Sequence, residues 1–194
     1  MLSLQHLSPL RAHLGDPVPA IRRAGLEIAE AAVTAQAMLS GDLGDAAVVD
    51  AVARAPGCTL SDEPNRKVGT GPYAIWLAPD KRLLVSETVD RNKVLHDLAA
   101  ALSGRFAGAA DVTDGLAVLD LHGERLPDLL AMACALDLDP RRFGPEQSAR
   151  TLFAGVPVIL YRHGPAGGFR LHVDSSVVGY LWTWLEQAAA AVAH

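Results

Sequence analysis

Seven histidines, two cysteines and a scatter of aspartates from Asp111 to Asp139 are the residues from which a reaction would have to be built. His6, His13, His96, His122, His163, His172 and His194 contain no i, i+4 pair of the kind that holds a metal on one helix face, and no carboxylate-rich loop accompanies them. His122 and His172 fall at the ends of expected strands, where a sheet could bring them together. Surface polar positions are the preferred reading of the set. Cys58 and Cys134 have no CxxC partner and are expected to be reduced. Cys134, inside the apolar string LLAMACAL, reads as buried, whereas Cys58 follows Pro56–Gly57 in a turn that could expose it, with nothing nearby to lower its pKa. Asp111, Asp114, Asp120, Asp137 and Asp139 include no carboxylate paired by sequence with an acid or a nucleophile. Asp137 and Asp139 read as turn carboxylates that accept from backbone amides. Arg141, Arg142, Arg150, Arg162 and Arg170 could hold an anion, but a salt-bridged sheet surface or a subunit interface is the preferred reading. There is no GxGxxG, GxxxxGK[ST] or GxSxG, and the glycines at 69–71 and 164–168 flank strands rather than a helix N-terminus. No catalytic, cofactor-binding or metal-ligating residue is therefore assigned to this chain.

Composition narrows the class. The chain has 194 residues, half of them hydrophobic, 5% aromatic and 20% charged, enough for one good-sized domain or two small lobes. A formal charge of −5 argues against a nucleic-acid partner, which selects clustered Lys and Arg. No apolar run approaches the roughly 20 residues that span a bilayer, so no membrane partner is expected. His6, Pro9 and Arg11 interrupt any signal-peptide core, which makes the cytoplasm the expected location.

The elements follow from pattern and punctuation. Residues 1–25, with Pro9, Pro17 and Pro19, are expected as an extended N-terminal arm, and residues 26–194 as the folded domain, in halves of about 26–108 and 109–194. Leu26–Leu39 is ambiguous between helix and strand. Asp45 is placed to cap a helix that Pro56–Gly57 stops. Residues 61–72 read as a polar loop. Tyr73–Leu77 and Arg82–Ser86 form a hairpin, and Asp90 caps a helix to Leu102 striped by Val94, Leu95, Leu98 and Leu102. The second half gives a strand at Gly115–Leu121, a helix at Glu124–Ala133, strands at about Ala149–Arg162 and Gly168–Val173, and a closing helix capped by Ser175 or Ser176. Each half thus reads strand, helix, two strands, helix. That order predicts an α+β fold of two interleaved halves, with antiparallel sheets and helices packed on them.

The closing helix carries more apolar surface than one core needs. Leu181, Leu185, Ala188 and Val192 centre its apolar face. Val178, Trp182 and Ala189 widen it on one side, and Val177, Tyr180 and Trp184 on the other. The arc is roughly 200°, against the ~100° stripe of a surface helix. Tyr180 and Trp184 are therefore the candidate partner-interface residues, being of types enriched at interface anchors.

These segments together carry a resemblance. The stretch DVTDGLAVLDLHGERLPDLLAMACALDLDPRRFGPEQSARTLFAGVPVILYR, followed by DSSVVGYLWTWLEQAA, resembles the gamma subunit family of heterotetrameric sarcosine oxidase. The family's marks are a DVSDG-type strand start, a GCALDLHP turn, a CAQT-type strand entry and a YLW-x-WL closing helix. The hairpin AIWLAPDKRLLVS is similar to the family's WLGPDEWLLV segment. The resemblance runs from about Ile75 to Ala189. It implies an aminomethyltransferase-like fold and a non-catalytic subunit in a complex with alpha, beta and delta subunits. That complex oxidatively demethylates sarcosine or a related N-methyl amino acid and feeds one-carbon units to tetrahydrofolate. FAD, FMN, NAD, tetrahydrofolate and zinc are implied on the other subunits and no cofactor on this one. Asp139, Ser148 and Arg82 depart from the family's His, Cys and Trp, which leaves the choice of N-methyl amine open. The alternative is a free-standing folate-binding protein of the same fold. It lacks support from the KGCYxGQE-like motif such proteins carry, because the corresponding region reads MACALDLDP and FGPEQSART.

Overall fold

The structure, a computed structural model, describes residues 8–164 and 167–192. Residues 1–7 of the expected arm, with His6, lie outside it, as do Pro165, Ala166 and His194. The chain divides into two compact units. One is Ala32–Thr113, and the other combines the chain up to Ala31 with the chain from Asp114 onward.

In the unit Ala32–Thr113, β3 (Ala35–Gly41), α2 (Ala46–Arg54), β4 (Lys67–Val68), β5 (Tyr73–Ala78), β6 (Lys81–Ser86), α3 (Arg91–Leu102) and β7 (Ala107–Asp111) follow in order. The strands form an antiparallel sheet in the order β4-β5-β6-β3-β7. Alternation of side chains along each strand sends Ala35, Ala37 and Leu39 to one face. There they pack with Val48 and Val52 of α2 and Val94, Leu98 and Leu102 of α3. Both expected helix caps form. The Asp45 carboxylate accepts from the Ala47 N–H at 2.8 Å, and that of Asp90 from the Asn92 and Lys93 N–H groups at 2.9 and 3.2 Å. Arg82 is 2% exposed. Its guanidinium donates to the carbonyls of Ser61, Ala78 and Lys81, lies 5.5 Å from the Trp76 ring centroid and pairs with Asp62 at 3.5 Å, so this cation is held by main-chain dipoles, an aromatic face and a carboxylate.

The other unit begins with α1 (Arg11–Leu14), β1 (Ile21–Arg23) and β2 (Leu26–Glu30). It continues with β8 (Leu116–His122), α4 (Leu126–Ala133), β9 (Ser148–Phe153), β10 (Val156–Arg162), β11 (Phe169–Asp174) and α5 (Val178–Val192). Its antiparallel sheet has the order β1-β2-β8-β11-β10-β9. Leu119 and Leu121, Val158 and Leu160, and Leu171 and Val173 share a core with α4 and α5. The α+β class with antiparallel sheets holds.

Three local expectations change and one ambiguity is resolved. The described part of the arm is packed rather than free: it carries α1 and the strand β1, Leu10 and Ile21 are buried, and β1 pairs with β2, since an apolar side chain at each gives the segment a place in the core. The ambiguous segment Leu26–Leu39 resolves into the strand β2 and most of β3. The single strand expected over Ala149–Arg162 is a hairpin, turned at Ala154 (φ 51°) and Gly155 (φ 83°), the two left-handed positions of a two-residue turn. Lastly, Ser176 is not the cap of α5. Its N–H and hydroxyl both donate to the Asp174 carboxylate, at 2.8 and 2.6 Å, while the Ser175 hydroxyl donates to the Asp114 carbonyl.

Cys134 is buried as expected, but Cys58 is buried too, fully covered by the apolar cluster of its own unit, and desolvation pushes its thiol up to about 12. A thiolate is the reactive form, so Cys58 is expected to resist a thiol-reactive chromophore in the native protein and to react on unfolding. Rapid native labelling at Cys58 would contradict this packing.

Candidate functional site

Most of the charged side chains are engaged with one another or with main-chain carbonyls, whereas His122 Nδ1 and Ser148 Oγ are buried without a hydrogen-bond partner. On β8 and β11, facing away from α4 and α5, Arg170 is 3% exposed and donates through Nε and Nη2 to the two carboxylate oxygens of Asp120, at 2.6 and 2.8 Å. Beside it the Tyr161 hydroxyl and His172 Nε2 are 2.8 Å apart, with the rings stacked at 5.6 Å. The surface reading of His172 is thus overturned, since it is 1% exposed. Nor are His122 and His172 brought together. The register places His172 opposite Val118, four residues from His122, or roughly 13 Å along the strand. His96, by contrast, is exposed.

Burial lowers the His172 pKa from 6.5 to about 3, with the charges of Arg170 and His163 adding to the effect. The folded state therefore refuses a proton that the unfolded chain accepts between those values. Stability is expected to fall as pH falls from about 6.5 towards 3, by up to about 1.4 kcal/mol per pH unit. Urea titrations at pH 7 and pH 5 check this, and a His172→Gln variant should lose part of the slope. An unchanged slope would contradict the assignment.

A cavity of about 540 Å³ opens beside α4, lined by Leu126, Leu130, Leu138 and Phe169, with Asp139 and Arg162 on its rim. These charges are already committed. Arg162 donates to the carbonyls of Phe143 and Leu138, both at 2.5 Å, and sits 4.7 Å from the Phe169 centroid. Asp139 accepts from the Arg141 N–H and guanidinium, all at 2.9 Å, and these bonds hold its carboxyl down at about 2. Asp137 accepts from the Asp139 N–H and pairs with Arg142. The turn role read for both aspartates holds, and three of the five arginines, Arg141, Arg142 and Arg170, lie in ion pairs. Among the described residues no group of three or more His, Cys, Asp or Glu comes together that could hold a metal ion. No helix there is long and apolar enough to cross a membrane.

The closing helix divides as its wheel implies. Val178, Leu181, Trp182, Leu185, Ala188, Ala189 and Val192 are buried. Tyr180 stays 58% exposed, its hydroxyl donating to the Ala154 carbonyl at 3.3 Å. Trp184 is half-buried, edge-on to Phe153 with centroids 6.0 Å apart. The Ala154–Gly155 turn is tied to α4 by the Ala154 N–H donating to the Ala133 carbonyl, next to the 55% exposed Met132. Sequence reasoning missed this turn and Met132. The dipeptide Ala-Gly is a weaker turn signal than Asn-Gly, though Gly155 inside an expected strand was an available hint.

Comparison with known proteins gives a consistent result. The sarcosine oxidase, gamma subunit family model matches residues 40–191. The chain is 31% identical over 185 residues to the sarcosine oxidase subunit gamma of Corynebacterium sp. (strain U-96), covering 91% of this chain and 87% of that protein. It is 32% identical over 140 residues to the subunit gamma of Arthrobacter sp., covering 71% of this chain and 66%, about two thirds, of that relative's length. Its structure is similar to a chain of the heterotetrameric sarcosine oxidase from Corynebacterium sp. U-96 in complex with pyrrole 2-carboxylate. The TM-score is 0.82 at 27% identity, over 97% of this chain and 96% of that one. Glycine cleavage system aminomethyltransferase T from Bartonella henselae is similar at TM-score 0.61 and 15% identity, over 86% of this chain and 47% of that one, which shows a shared fold alone. The aminomethyltransferase-like fold is therefore established, and the chain belongs to the sarcosine oxidase, gamma subunit family.

Proposed function

We propose that this chain is the non-catalytic gamma subunit of a heterotetrameric sarcosine oxidase-type complex. In that complex it holds the alpha, beta and delta subunits together while they oxidise sarcosine or a related N-methyl amino acid and pass the one-carbon unit to tetrahydrofolate. The observation that carries this reading is the likeness to a chain of a heterotetrameric sarcosine oxidase over nearly the full length of both chains. The pairing of Asp120 with Arg170 and of Asp139 with Arg141 accords with it, since these groups serve the fold as ion pairs. FAD, FMN, NAD, tetrahydrofolate and zinc belong, in this reading, to the other subunits, and the complex works in the cytoplasm. Tyr180 and Trp184, on the open flank of α5, anchor a neighbouring subunit.

The test is co-expression of the tagged chain with the alpha, beta and delta subunits from the same source. Recovery of all three on the tag is expected. A stable monomer that recovers none would contradict the reading. Calorimetric titration with tetrahydrofolate is expected to give no heat, and micromolar binding would favour the free-standing folate-binding alternative.

A further inference from the structure

The two units share one topology with one strand of difference. The path β3–α2–β4–β5–β6–α3 corresponds to β8–α4–β9–β10–β11–α5. In sheet order, β2 stands beside β8 as β7 stands beside β3, antiparallel in both cases. Beyond β2 lies β1, which pairs Ile21 with Ile28 and packs against α5, so that Ile21 is 4% exposed. Among the described residues no strand holds the corresponding place beyond β7. A groove of about 450 Å³ lies there instead, lined by Leu95, Leu98 and Leu102 of α3 and by Ala107 and Ala109 of β7.

The edge of β7 is also the least guarded in either sheet. Natural edges are blunted by charge, brevity, proline or a bulge. The outermost strand β1 exposes Arg22 and Arg23, β9 exposes Arg150, and β4 is two residues long and begins with Lys67. Strand β7 reads Ala-Gly-Ala-Ala-Asp and pairs with β3 over five residues without a bulge. Its one charge, Asp111, is turned back to Arg91 at 2.5 Å and to the Thr113 hydroxyl at 2.7 Å. The Phe106 carbonyl accepts from Asp42 and the Val112 N–H donates to Gln36, so even-numbered residues bond to β3 and Ala107, Ala109 and Asp111 turn their main-chain groups outward. Phe106, immediately before the strand, is 88% exposed.

We propose that β7 is the docking edge for a short extended segment of a neighbouring subunit. That segment adds antiparallel to β7 as β1 adds to β2, with an apolar side chain opposite Ala109 seated in the groove against α3. The alternating outward donors and acceptors specify a polypeptide backbone, and Ile21 of β1 shows the kind of side chain the corresponding groove takes. The inference rests on the subunit reading above and concerns the unit Ala32–Thr113, whereas Tyr180 and Trp184 belong to the other unit.

Amide hydrogen exchange, read at Ala109 in the isolated chain and in the complex assembled by co-expression, tests it. Exchange at Ala109 is expected to slow by roughly 100-fold or more in the complex and to be unprotected in the isolated chain. Ala109→Pro removes only an outward N–H, so it should keep the isolated fold while cutting recovery of the complex at least about tenfold. Ala109→Ser should assemble normally. Equal exchange at Ala109 in both states, or assembly of a well-folded Ala109→Pro variant at the normal level, would overturn the proposal. If the proline variant misfolds, the exchange comparison on the unaltered protein decides. Protection already present in the isolated chain would assign the edge to a second copy or to the chain itself, and overturn it too. A complex that never forms with the unaltered chain would contradict the subunit reading and this proposal with it. A complex that forms with Ala109 unprotected would contradict only the latter.

Discussion

Replacing Asp120 with Asn is expected to destabilise the protein by about 3 kcal/mol, the lower end of the range for breaking a buried ion pair from one side, because the Asp120 side chain keeps 19% of its surface exposed. The reason is asymmetry. Arg170 is 3% exposed, and both of its bonds to Asp120 are short and charge-assisted. An amide in place of the carboxylate offers one acceptor where the fork needs two, and it leaves a cation in a low-dielectric sheet face beside Tyr161 and neutral His172. The double variant Asp120→Asn, Arg170→Met should recover much of the loss, because it removes the stranded charge rather than half the pair. Urea unfolding of the three variants measures this. A single variant within about 1 kcal/mol of the parent would mean that the pair is solvated, contrary to its burial.

Replacing Tyr180 with Ala is expected to weaken assembly by about 2 kcal/mol, close to 30-fold in dissociation constant, while hardly changing the stability of the isolated chain. The split follows from exposure. At 58% exposed, Tyr180 gives little apolar area to its own core, and its hydroxyl bond to the Ala154 carbonyl is long at 3.3 Å. Trp184→Ala should act on both quantities, since Trp184 packs edge-on against Phe153 as well as reaching the open flank. Binding measured at equilibrium against the purified partner subunits separates the two effects. A Tyr180→Ala variant that binds like the parent would remove this flank of α5 from the interface.

Much of this was legible because it is local. The caps at Asp45 and Asp90, the hairpin around Pro79–Asp80 and the stripe Leu181–Leu185–Ala188–Val192 each depend on residues within one short segment. What was not legible is non-local. In Phe169–Asp174 the alternation Phe-Arg-Leu-His-Val assigns Arg170 and His172 to solvent, yet both faces of β11 are covered and both residues are buried. The same holds at Cys58, whose turn-like neighbours gave no sign of the cluster that closes over it. Strand β1 could not be read at all, since its partner β2 is fixed by β8, nearly a hundred residues downstream.

The most direct test is assembly by omission. The alpha, beta and delta subunits should be co-expressed with and without this chain, and the products weighed by native mass spectrometry. With the chain present, one assembly holding a single copy of each of the four polypeptides is expected, and without it the other three should not recover as one particle. A complete, sarcosine-oxidising alpha–beta–delta assembly formed in its absence would contradict the proposed role of holding them together.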